Sequence, residues 1–62
     1  MKKKLGAWMK KVRKDQGLSQ TVVAKKLKIT QGQLSKIENG NAEILFTQYA
    51  AFVKLTGEEF GL

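Results

Sequence analysis

Three glutamines and a lysine, Gln20, Gln31, Gln33 and Lys36, stand close together in the middle of the chain, with Ser19, Asn39 and Asn41 at the edges of the same stretch. A glutamine amide offers a donor and an acceptor side by side, the arrangement that matches N6 and N7 of adenine in a major groove. A lysine suits guanine O6 and N7, or a phosphate. Any one of these residues, taken alone, is more often a solvated helix surface than a contact. Their convergence beside the start of a helix at Thr30-Gln31 gives them weight.

The set binds; nothing in it points to catalysis. The chain holds no histidine and no cysteine, and its five carboxylates form no cluster beyond the adjacent pair Glu58–Glu59. The usual base of hydrolytic chemistry, the thiolate nucleophile and the commonest metal ligands are therefore missing. We expect neither an enzyme, nor a metal site, nor a cofactor. Twelve basic residues against five acidic ones give a formal charge of +7, which favours polyanionic partners: nucleic acid or an anionic membrane surface.

Sixty-two residues allow one domain, 1–62, with one small core. A chain this short buries roughly 60% of its unfolded surface, so dimerisation or ligand binding would add needed stability. Met1–Lys4 has the charge of a signal-peptide start, but no apolar run follows it. The expectation is a soluble, cytoplasmic protein with no membrane partner, and the absent cysteine agrees with a reducing compartment.

The elements that must position the polar set are helices. Glycines at 17, 40 and 57 close apolar-periodic segments, as glycine does just past a helix end. The first segment, Lys4 to Gln16, repeats Leu5, Trp8, Met9 and Val12 on one face. Trp8 on that stripe is read as core in preference to a base-stacking residue. The Lys2–Lys4 run is either an arm that touches phosphates or a frayed terminus. Ser19 caps a helix from Gln20 to Leu27 whose inward residues are Val23, Ala24 and Leu27. Lys28-Ile29-Thr30 makes the turn, with some strain where Lys28 replaces a more comfortable glycine. Thr30 and Gln33 fit a capping box, and Leu34 and Ile37 face inward up to a left-handed stop at Asn39-Gly40. Gly32, inside that helix's first turn, either admits a close approach to the backbone or is simply tolerated there.

After a short link, Phe46, Tyr49, Ala50 and Val53 repeat as the inward face of a fourth helix, Leu45 to Leu55. Thr56 and Glu59 fit a second capping box, so Gly57 to Phe60 is expected to form a last turn. Phe52, Leu55, Phe60 and Leu62 exceed what one face can bury and are either further core or a dimer interface. The fold class is all-α, a compact bundle of four to five short helices.

The stretch Leu18 to Gly40, LSQTVVAKKLKITQGQLSKIENG, resembles the helix-turn-helix of the lambdoid-phage repressor and Cro family, also called the xenobiotic-response-element type. Leu18, Ser19, Gln20, Ala24, Leu27, Ile29, Thr30, Gln31, Ile37, Glu38, Asn39 and Gly40 carry the likeness, which extends over about residues 3 to 60. The chain departs from the family at Lys28, usually glycine, and at Gly32, often a base-touching side chain. The resemblance implies a sequence-specific regulator of transcription that binds double-stranded DNA. Its helix at about 30–39 would lie in the major groove of a palindromic operator, bound by a homodimer. Gln31, Gln33 and Lys36 would read bases, and Ser19, Gln20, Asn39, Asn41 and Arg13 would meet phosphates. By the same resemblance Gln20 braces Gln31, and Arg13 forms an ion pair with Glu38 that links the first and third helices.

Two other classes compete. An antitoxin or protein-interaction module would use the C-terminal apolar surface, in the first case against a toxin, with DNA autoregulation secondary. Binding of nucleic acid or membrane by charge alone would show no sequence preference and would collapse with salt.

Overall fold

Four helices account for most of residues 2–61, the part of the chain that the computed structural model describes; Leu62 lies outside it. They are α1 (Lys2–Asp15), α2 (Gln20–Leu27), α3 (Gln31–Glu38) and α4 (Phe46–Thr56), and no strand occurs among the described residues. No helix among them is long and apolar enough to cross a membrane.

Local chemistry sets the ends of the two central helices. The Val22 N–H donates to Ser19 Oγ at 3.1 Å, which satisfies one of the free donors at the start of α2. At α3 the capping box is complete: the Gln33 N–H donates to Thr30 Oγ1 at 3.1 Å, and the Thr30 N–H donates to Gln33 Oε1 at 2.9 Å. Between the helices, Lys28 sits at φ 62° and ψ 40°, the one non-glycine residue with positive φ among the described residues. The Ile29 N–H then closes the turn on the Ala24 carbonyl at 3.0 Å. At the far end of α3, Gly40 has φ 78°, and a Cβ there would stand 3.0 Å from Cα of Lys3. Lys2–Lys4 therefore form the exposed first turn of α1, seated against the end of α3.

The core is Met9 and Val12 of α1, Val23, Ala24 and Leu27 of α2, Leu34 and Ile37 of α3, and Phe52 of α4. The helix α3 packs on α1 and α2, and α2 packs on α4. Gly6 is the closest meeting point: a Cβ on it would run into the carbonyl oxygen of Ile37 and lie 3.1 Å from that of Glu38. A glycine inside a helix costs up to about 1 kcal/mol in propensity. Here its missing side chain lets α1 and α3 come together.

Two expectations about the C-terminal part are corrected. The inward residue of α4 is Phe52, fully buried, whereas Phe46 is 80% exposed and Ala50 is also exposed. Apolar residues surround α4, and the face that meets α2 carries Phe52 with Ala51 and Leu55 half-buried beside it. The last turn at Gly57 to Phe60 is absent. Thr56 belongs to α4, where its hydroxyl donates to the Phe52 carbonyl at 2.9 Å, and Gly57, at φ 76°, ends the helix. The chain then folds back without helix, so that the Phe60 N–H donates to Tyr49 Oη at 2.9 Å. The Phe60 ring lies 5.4 Å from that of Trp8, whose other neighbours are Phe52 at 5.5 Å and Tyr49 at 6.3 Å. Trp8 thus stands at the edge of the core in an aromatic cluster.

Candidate nucleic-acid interface

Gln31, Gly32, Gln33 and Lys36 line the exposed side of α3, while Leu34 and Ile37 anchor its other side in the core. Periodicity accounts for this division, because positions i, i+3 and i+4 share one face of a helix. Gln20 lies half-buried at the first position of α2, next to the start of α3. The Gln31 Nε2 donates to Gln20 Oε1 at 3.4 Å, the long bond of the set. Gln20 Nε2 in turn donates to Glu38 Oε1 at 2.9 Å, across 18 residues of chain.

Glu38 is the hub. Arg13 Nε donates to its Oε2 at 2.7 Å and Arg13 Nη2 to its Oε1 at 3.1 Å, a two-pronged pair joining α1 to α3. A third guanidinium donor, Nη1, reaches the Leu18 carbonyl at 2.9 Å. The side chains of the pair are only 9% and 1% exposed, so this is a buried ion pair. Arg13 was expected to approach a phosphate as well. Nε, Nη1 and Nη2 each donate inside the protein, so a phosphate would have to be met by the second N–H groups of Nη1 and Nη2. No buried side-chain polar atom among the described residues is left without a partner.

The remaining positions are surface ones. Ser19, Asn39 and Asn41 are exposed, at the start of α2 and the end of α3. Ser19 Oγ accepts the capping bond and keeps its own proton to donate. Gln33 Oε1 is engaged in the cap of α3, which leaves its NH2 group for an outside acceptor. Gln33 and Lys36 border a shallow groove completed by Glu43, Leu45 and Gln48. Gln48, whose Oε1 accepts the Leu45 N–H at 2.9 Å, brings the start of α4 to this side of the molecule. Gln48 is not legible in the sequence, because a leucine N-cap breaks the usual capping signature, and no local spacing announces the bond from Gln20 to Glu38.

Lys11 on α1 is held above the ordinary lysine value by its hydrogen bond to Asp15 one turn on, and then by that carboxylate's charge.

The model of a family described as helix-turn-helix matches residues 9–60. Comparison with curated proteins and with solved structures gives no match.

Proposed function

The chain belongs to the Cro/C1-type helix-turn-helix family of DNA-binding regulators, and from that premise we propose that it is a Cro-like repressor acting as a homodimer on a palindromic operator. In this reading α3 enters the major groove and Gln31, Gln33 and Lys36 contact base edges. Ser19, Gln20, Asn39 and Asn41 position the domain on phosphates, aided by the free N–H groups at the start of α2. Arg13 takes part through Glu38. The observation that carries the reading is the exposed Gln31 amide at the first position of α3, braced by Gln20 on a basic chain.

The dimer is supported by the apolar side of α4 that the core leaves uncovered: Phe46 and Ala50 exposed and Val53 half-buried, with Leu45 63% exposed beside them. These residues fall at i, i+4 and i+7, one continuous stripe, and a second copy of the chain would cover it. The same stripe is what favours the second reading, an antitoxin or protein-interaction module with DNA binding secondary.

Selection of bound DNA from a random pool tests both. A palindromic motif with half-sites one helical turn apart, about 34 Å, is the expected result. No enrichment over random DNA overturns the repressor reading and leaves the protein-interaction one.

A further inference from the structure

We propose that Glu38, which need not touch DNA, sets the sequence preference of Gln31 by fixing which end of its amide is donor and which is acceptor. This rests on the reading of Gln31 as a base contact. The end groups of a glutamine amide are nearly the same size, and its terminal torsion is broad and roughly two-fold, so an unrestrained amide presents either order of NH2 and oxygen. Here the order is dictated from the interior outward. The Glu38 carboxylate, paired with Arg13, can only accept hydrogen bonds. Gln20 must therefore turn its NH2 to Glu38, as it does at 2.9 Å, and this leaves its Oε1 toward Gln31. That oxygen can only accept, so Gln31 meets it with NH2, as it does at 3.4 Å. The Gln31 Oε1 and its second N–H are left as an acceptor and a donor in a set order. Adenine N6 and N7 form one such ordered pair, whereas guanine O6 and N7 are both acceptors.

Glu38 is thus a positioning residue, held by Arg13 and acting through Gln20. Its replacement by glutamine keeps size and hydrogen-bonding capacity but offers Gln20 either a donor or an acceptor, so the relay loses its direction. Moving the carboxylate one step outward, in the exchange Gln20→Glu with Glu38→Gln, restores it: a carboxylate at position 20 again faces Gln31 as acceptor only.

The test takes the operator found by selection and locates the base pair whose preference Gln31→Ala relaxes. It then compares the dissociation constants for the A·T and G·C versions of that pair. A good bidentate contact discriminates by roughly 5- to 150-fold. Glu38→Gln is expected to bring that ratio below about threefold, and the exchange to return it to within about twofold of the starting protein. Partial unfolding lowers affinity for both sequences by one factor and leaves the ratio untouched, so a merely structural part for Glu38 would not move this readout. Arg13→Gln with Glu38→Gln, which leaves no unpaired buried charge, gives the same measurement should Glu38→Gln alone fail to fold. An unchanged ratio in the Glu38 variants, or an exchange that restores nothing, overturns the proposal. A Gln31→Ala variant with every preference intact overturns the base-reading assignment beneath it.

Discussion

Arg13 and Lys11 sit two residues apart on α1, each paired with a carboxylate, yet substitution should be costly at the first and without effect at the second. The Arg13–Glu38 pair is buried, and removal of one partner leaves an uncompensated charge in the interior. Arg13→Ala is expected to lower unfolding stability by about 3–5 kcal/mol, measured by urea denaturation. That figure describes breaking the pair and does not measure what the pair contributes against an apolar substitute. Lys11 is solvent-exposed beside Asp15, so Lys11→Ala should leave the denaturation midpoint in place. The raised lysine value puts any contribution below the ordinary lysine range, to be lost only as pH rises through the folded-state value, so none of it changes near neutrality. At this scale the polar residues of α3 were legible in the sequence, since an exposed glutamine differs from a leucine by chemistry alone. For Arg13 the family resemblance implied the pairing with Glu38 but not its depth: a charged residue next to Val12 gives no sign that it lies inward until the partner 25 residues away is in place.

Among the elements, two backbone positions invite a test, one for strain and one for space. Lys28 holds a left-handed conformation that costs a side-chain-bearing residue roughly 1–2 kcal/mol, partly offset in a glycine by its greater freedom when unfolded. Lys28→Gly is therefore expected to raise stability by about 0.5–1 kcal/mol, read as a higher thermal midpoint with the fold unchanged. Gly6 presents the reverse case. Alanine would improve helix propensity, but its Cβ would meet the backbone of Ile37 and Glu38, which cannot turn aside as a side chain can. Gly6→Ala should destabilise by about 1–3 kcal/mol or more and disturb the contact between α1 and α3. The helix α4 shows where periodicity fails. Phe46, Tyr49, Ala50 and Val53 form a stripe as regular as any in the chain, but Ala51, Phe52 and Leu55 form another. Which one turns inward depends on packing against α2, and it is the second.

For the molecule as a whole, the uncovered stripe on α4 and the charge of +7 make separable predictions. Phe46 is 80% exposed, so Phe46→Asp should leave the monomer's stability nearly unchanged. If a second copy covers this side, the variant should sediment as a monomer at concentrations where the parent protein associates. It should also bind a full operator more weakly while keeping its affinity for a half-site. Equal sedimentation of variant and parent across the concentration range would remove α4 from the dimer.

The sequence by itself determined the local events. Ser19 and Thr30 start helices because their oxygens accept free N–H groups, and Gly40 ends one because it adopts positive φ without strain. Each depends on residues a few positions apart, where spacing and chemistry suffice. Tertiary structure alone decided the rest: the approach of α1 to α3 at Gly6, the side of α4 that is buried, the depth of the Arg13–Glu38 pair and the bond from Gln20 to Glu38. Those contacts join distant parts of the chain, and their partners are selected by how the helices pack, which no single segment encodes. The polar face of α3 could be read from the chain; the buried carboxylate at its other end, which orders that face, came only with the fold.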